Sequence, residues 1–181
     1  SSHYSLYYRM PGVKIISPMT PKEYSLAYKS FMKEDEVYYV SEHRGSYDNQ
    51  TELEDVLCDD ADIIIFSISI TRFAAKKVKD ILAKEKMKIG LANILWIKPF
   101  EIKEEWLRTL KKAKYGGIIL DDDYESGVAS DMAYKLMKLS NKKIEVMGLK
   151  EKSAGFSKKT DNLPPNEKEI IKKIKQITKK C

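Results

Sequence analysis

Pro11-Gly12-Val13-Lys14-Ile15-Ile16-Ser17-Pro18-Met19-Thr20-Pro21-Lys22-Glu23-Tyr24 decides the fold, because a turn, a strand and a helix start follow one another without a break. Pro11-Gly12 is a turn dipeptide, and the apolar run from Val13 to Ser17 reads as a short buried strand. Thr20 is placed to cap a helix, Pro21 suits the first helical position, and Glu23 stands where the second half of a capping box belongs. The helix is expected over 21–33, and Val37-Tyr38-Tyr39-Val40-Ser41 reads as a second strand. Both strands are continuous apolar runs rather than alternating ones, as in parallel sheets covered by helices on both faces. A single strand-helix-strand unit cannot cover its own faces. Its neighbouring strands are therefore expected from residues before Ser1 or from another chain, and the sequence reads as a fragment.

Working outward, Glu42 to Asp55 is polar and reads as a linker, and a second series follows it. Strands are expected over 62–69, 88–96, 117–120 and 143–147. Helices are expected from Thr71, with Ala74, Val78, Ile81 and Leu82 on one face, over 102–113, and from Ser126 to about Leu139. A last helix should start after Leu163-Pro164-Pro165, with Asn166 as its cap and Glu169 reaching back. Strand and helix alternate throughout. The pattern predicts an α/β fold with an open, mostly parallel sheet and helices on both faces, preceded by part of a second α/β domain. The expected divisions are 1–45, a linker at 46–57, and 58–181.

Of the 181 residues, 43% are hydrophobic and 33% charged, a globular composition that can bury a core. No apolar run approaches the ~20 residues that span a bilayer, and Ser1 to Met10 does not read as a signal peptide. Cys58 and Cys181 are the only cysteines and have no metal-ligand or redox spacing, which predicts a reduced, cytoplasmic protein without a membrane partner. The net charge of +6 is concentrated at one end: residues 166–181 hold six lysines against Glu167 and Glu169, a surplus of +4, leaving +2 for the rest. Ile170, Ile171, Ile174 and Ile177 form a stripe there with lysines opposite, so the charge reads as the solvated face of a helix. No aromatic-basic motif accompanies it, and no nucleic-acid partner is expected.

The segment at 11–24 resembles the one in the beta subunits of thiamine-diphosphate-dependent 2-oxo-acid dehydrogenases and in transketolases, where a Pro-Gly turn leads through a strand to a helix start in the pyrimidine-binding domain. Asp62-Ile63-Ile64-Ile65, Ile97-Lys98-Pro99-Phe100-Glu101, Ile118-Ile119-Leu120-Asp121 leading to Ser126-Gly127, and Asp161-Asn162-Leu163-Pro164-Pro165 resemble motifs of that group in the same order. The resemblance implies the end of a pyrimidine-binding domain over 1–45 and a transketolase-type C-terminal domain over 58–181. It implies the beta-subunit portion of an enzyme that decarboxylates a 2-oxo acid and passes the acyl group to a lipoyl carrier. A transketolase-like ketol transfer enzyme and a non-catalytic α/β interaction module are the alternatives. It further implies thiamine diphosphate and magnesium in the assembled enzyme. The Gly-Asp-Gly…Asn motif that holds the metal has no counterpart here, so the isolated chain is expected to be inactive and not to bind the cofactor alone. The implied partners are a second copy or a diphosphate-binding alpha subunit, and an acyltransferase core.

His3 is the catalytic candidate by that resemblance: the family has a histidine before the Pro-Gly turn, a few residues further upstream, and an imidazole titrates near neutrality. His43, in Glu42-His43-Arg44, reads as a surface histidine. Asp121, Asp122, Asp123 and Glu125 cluster where a strand ends, but Ser126 and Met132 stand where a calcium loop from Asp121 needs glycine and glutamate. They read instead as acidic groups beside the positive end of the helix expected at Ser126. Ser67-Ile68-Ser69-Ile70-Thr71 has no glycine to admit a dinucleotide, and its hydroxyls read as a helix cap. No cofactor-binding or metal-ligating residue is assigned.

Overall fold

The computed structural model describes residues 2–152 and 161–179; Cys181 and Lys180 lie outside them. Ahead of the Pro11-Gly12 turn is a short helix, α1 (Tyr4–Tyr8), that the sequence pattern did not reveal. Gly12 turns the chain at φ +73°, a conformation that favours glycine. The expected unit follows: β1 (Val13–Ile16), α2 (Pro21–Lys33) and β2 (Val37–Val40), the two strands parallel. Thr20 Oγ1 accepts the Glu23 N–H at 3.4 Å and Pro21 sits at the first helical position. The Glu23 carboxylate bonds the N–H of Met19 at 2.9 Å rather than that of Thr20, so only half of the capping box forms as expected.

The second series comprises β3 (Ile63–Ile68), α3 (Thr71–Lys84), β4 (Ile89–Ile94), β5 (Trp96–Lys98), α4 (Glu104–Lys112), β6 (Gly117–Tyr124), α5 (Val128–Ser140), β7 (Ile144–Leu149) and α6 (Glu167–Lys179). The strand expected over 88–96 is thus two strands. β4 stays in the larger sheet, ordered β4-β3-β6-β7 and parallel throughout. At Leu95, whose carbonyl accepts the Ser17 N–H at 2.9 Å, the chain passes to the other sheet. There β5 pairs antiparallel with β1, giving the order β2-β1-β5. The smaller unit therefore draws its third strand from the second series, and β2 and β5 are its two edges among the described residues.

Both faces of the larger sheet are covered. Ile64, Phe66, Ile68 and Ile119 pack with Trp106 and Leu110 of α4 and Met132 and Leu136 of α5, joined by Tyr4, Val13 and Ile15. Ile63, Ile65, Ile118 and Leu120 point the other way, onto Val78 and Leu82 of α3 and Ile170 and Ile174 of α6. This is the period-2 alternation of a strand buried on both sides. Asn166 and Glu169 cap α6 reciprocally, at 3.1 and 3.0 Å. Among the described residues no helix is long and apolar enough to cross a membrane.

Candidate functional site at the carboxyl edge of the larger sheet

The strand order changes direction between β3 and β6, because β3 leads to β4 on one side while β6 lies on the other. Open α/β sheets commonly bind ligands in the crevice beyond the strand ends at such a point. Here Tyr4 fills it. The Tyr4 ring is fully buried, its hydroxyl donates to Asp121 Oδ1, and it lies 3.2 Å from Asp122 Oδ1. Ser69, held at φ +53° just after β3, donates to Asp122 Oδ2 at 2.9 Å, and Ser2 reaches the same oxygen at 2.7 Å. The Ser5 N–H donates to Asp123 Oδ2 at 3.3 Å. Three consecutive buried carboxyl groups thus meet hydroxyls and backbone N–H groups, several supplied by residues 2–5.

Burial, and then the charges of Asp122 and Asp123, push the Asp121 carboxyl up from 3.8 to about 7, against the hydroxyl of Tyr4 and the N–H of Asp123, which favour its charged form. Its second oxygen has no partner, which gives a proton a place to sit. The sign follows directly. The folded chain keeps a proton that the unfolded chain loses above pH ~4, so this stabilisation is complete below that pH and is lost as pH rises to about 7. The expected slope is on the order of 1 kcal/mol per pH unit in that window. Asp121→Asn should flatten it in urea unfolding measured at a series of pH values, and an unchanged slope would assign the titration to another group.

The structure gives the acidic cluster a role other than the one expected from a helix dipole. The helix begins at Val128 behind Gly127, with no side-chain cap, so Ser126 does not cap it. The hydroxyls of the Ser67–Thr71 turn also serve strand ends: Ser69 bonds Asp122, and Thr71 Oγ1 lies 2.7 Å from the carbonyl of Ile68 and 3.1 Å from that of Leu120. His3 is exposed at the N-cap of α1 without a side-chain capping bond, between Ser2 and Tyr4, which both reach the carboxyl cluster. His43 is half-buried, and its Nδ1 accepts the Gly45 N–H at 3.0 Å. Burial raises the Cys58 thiol, which disfavours a reactive thiolate.

A second polar centre joins the two sheets. Arg72, near the start of α3, is almost fully buried and forms a bidentate pair with Glu23 of α2, both distances 2.7 Å. Its Nε donates to Asn93 Oδ1 at 3.1 Å, and Nη2 to the Leu53 carbonyl at 3.1 Å. Asp55 extends the network by accepting from the Asn93 N–H at 2.7 Å and from Trp106 Nε1 at 2.8 Å. Neither Tyr4 nor Arg72 was found from the sequence. Both act through partners far along the chain, and neither lies in a motif with diagnostic spacing.

This architecture, a parallel four-stranded sheet with helices on both faces beside a smaller three-stranded α/β unit, is similar in fold to solved transketolase-like proteins. No protein-family model and no curated protein sequence matches the chain. Solved structures do. A split-gene transketolase, described as an inactive beta4 tetramer, superposes with a TM-score of 0.70 at 14% identity over 97% of this chain and 60% of its own. A transketolase variant from Pichia stipitis in complex with fructose 6-phosphate gives 0.69 at 14% identity, over 97% of this chain and 26% of its own. The 2-oxoglutarate:ferredoxin oxidoreductase of Magnetococcus marinus, with 2-oxoglutarate, coenzyme A and succinyl-CoA bound, gives 0.50 at 14% identity over 72% of this chain and 20% of its own. The chain therefore spans less than two thirds of each of these structures.

The crevice does not suit thiamine diphosphate or its magnesium. A diphosphate would meet the carboxyl groups of Asp121, Asp122 and Asp123, and the space between the strand ends holds Tyr4. Among the described residues no group of three His, Cys, Asp or Glu side chains is arranged to hold a metal ion.

Proposed function

We propose that this chain is the subunit-assembly portion of a thiamine-diphosphate-dependent enzyme of the transketolase-like group, working with a polypeptide region that carries the diphosphate and metal site. The observation that carries this reading is the superposition of 97% of the chain on a split-gene transketolase subunit, together with a strand-end crevice closed by the chain's own Tyr4. In this reading 1–45 is the end of a pyrimidine-binding domain, 46–57 a linker and 58–181 the C-terminal domain. One reading within that group is ketol transfer between sugars. The other reading is the beta-subunit portion of a 2-oxo-acid dehydrogenase that passes an acyl group to a lipoyl carrier; the likeness in fold to a 2-oxoglutarate oxidoreductase supports only the broader group that the two readings share. His3 is proposed to carry protons in the assembled site, where its exposure leaves the imidazole accessible.

The partner is proposed to be a second copy or a diphosphate-binding alpha subunit, seated along the edge of β2. Val37 of β2 is 64% exposed, and Met32 of α2 at 78% and Leu6 of α1 at 72% are exposed in the same unit, where one edge of β2 pairs with no strand among the described residues. Calorimetric titration of the isolated chain with thiamine diphosphate and magnesium is expected to show no binding heat, while sedimentation shows assembly. Micromolar affinity for the cofactor, or a well-folded and strictly monomeric particle that captures no diphosphate-binding subunit, would overturn the reading.

A further inference from the structure

Helix α1 is anchored to the rest of the fold by one buried side chain. Tyr4 is its only buried residue, while Leu6 and Tyr7 on the same helix and Met10 beyond it are exposed. Gly12, at φ +73° and with no atom within 4 Å of where a Cβ would stand, gives an uncrowded bend between this segment and β1. Further ties run from Ser2 to Asp122 and from the Ser5 N–H to Asp123. On the α5 side, the Tyr8 hydroxyl donates to Asp131, which also pairs with Lys135 at 2.8 Å.

The carboxyl groups beneath the segment are unevenly served. Both oxygens of Asp122 meet hydroxyls, those of Tyr4, Ser2 and Ser69, and both oxygens of Asp123 meet N–H groups, those of Ser5 and Tyr124. Asp121 Oδ1 accepts from Tyr4 and from the Asp123 N–H at 3.1 Å, whereas its Oδ2 meets no donor. The other groups around the cluster are the exposed His3 between Ser2 and Tyr4, and Tyr39 of β2, whose ring stacks on Tyr7 at 4.4 Å. Among the described residues no ammonium, guanidinium or imidazole group pairs with any of the three carboxyls. A third negative charge in this closed space has neither a cation nor water to offset it.

We propose that residues 2–8 are a proton-controlled strap over the β3–β6 crevice, docked while Asp121 keeps a proton and lifted about Gly12 when that proton leaves. A protonated Asp121 still accepts from Tyr4 and leaves no third charge buried. Loss of the proton favours a state in which the segment stands off and water reaches all three carboxylates. Burial, and then the adjacent charges, put this change at about pH 7. The lifted state gives up the proton above pH ~4, as a hydrated carboxyl does. Opening is therefore hardest below pH ~4, grows about tenfold per pH unit above it, and levels off beyond about 7. His3, between Ser2 and Tyr4, moves with the strap. The strap does not rest on the assembly reading.

The test is amide hydrogen exchange on the full chain between about pH 5 and pH 8, expressed as protection relative to a free peptide. The Ser5 amide, which donates to Asp123, is expected to be at least about tenfold less protected than the amides of Ile65 in β3 and Ile119 in β6, since the strap opens without unfolding the sheet. Its protection should fall about tenfold per pH unit up to about pH 7 and then level off. Asp121→Asn keeps the shape of the protonated acid without its charge, so it should hold the strap docked and remove the pH dependence. Tyr4→Phe keeps the ring and loses the donor, and should lower Ser5 protection roughly tenfold at about pH 5 while Ile65 and Ile119 report a folded sheet. Equal protection of Ser5 and the sheet amides at every pH would overturn the proposal. So would a Ser5 protection independent of pH, an unchanged slope in Asp121→Asn, or no effect of Tyr4→Phe.

Discussion

Glu23→Leu is expected to destabilise the chain by about 3–5 kcal/mol, because it strands a guanidinium group that has no access to water. The Arg72 side chain is 0% exposed and the Glu23 side chain 16%. Removing the carboxylate leaves Arg72 with the neutral acceptors Asn93 and Leu53, which satisfy hydrogen bonds but not charge. Arg72→Leu should cost less, since Glu23 lies nearer the surface and keeps the Met19 N–H. The double variant should recover much of the loss, because two apolar side chains avoid the desolvation that the pair must offset. In thermal melts of a chain of this size, Glu23→Leu should lower the midpoint by roughly 10 °C. A shift within about 2 °C would mean that the pair contributes little to joining the two sheets. Hydrogen exchange gives an independent reading: Glu23→Leu should deprotect β1 and β2 before β3 and β6.

That pair also shows where reading the sequence stops. The helix starts at Pro21 and Glu167 were legible because their signals are local, a cap and an acidic residue within one turn. The parallel strands were legible because burial on both faces removes polar residues from a continuous run. Hydropathy reports burial and not the neighbour that provides it, so the run from Lys88 to Trp96 gave no sign that the chain changes sheets at Leu95. The helix α1 was missed because five residues hold too little periodicity, and its docking depends on one tyrosine meeting carboxyl groups 117 and 118 positions away. The acidic run at 121–123 stood out in the sequence, but its environment was assigned to the nearest helix. Its actual donors, Ser2, Tyr4 and Ser69, come from segments that only the folded topology brings to the β3–β6 crevice. Glu23 was read as part of a capping box for the same reason, since the arginine that claims it lies 49 positions along the chain.

The C-terminal helix is expected to be part of the core and not an appended basic tail. Ile170 and Ile174 are both fully buried against Ile63, Ile65, Ile118 and Leu120, with Ile171 and Ile177 packed at the margin. The lysines between them stay at the surface, where Lys175 pairs with Glu85 at 2.7 Å and Lys173 with Glu145 at 2.9 Å. Such exposed pairs contribute little. The stabilisation lies in the isoleucines, and α6 leaves the part of that sheet face not covered by α3 open when it detaches. Ile174→Asp removes a branched apolar side chain from a packed site and puts a carboxylate there with no cation or N–H donor in its place. The two effects together should cost on the order of 5 kcal/mol. Ile174→Val, which keeps the shape and loses one methyl group, should cost only about 1 kcal/mol. Lys172→Asp, on the exposed side of the same helix, should change stability by less than about 0.5 kcal/mol. The three variants separate docking from charge. If Ile174→Asp melts within a degree or two of the parent chain, α6 is not seated on the sheet and its lysines are free to meet a polyanion along the helix. If it unfolds the sheet while Lys172→Asp does not, the basic composition of this segment is the solvated side of a helix whose other side completes the core.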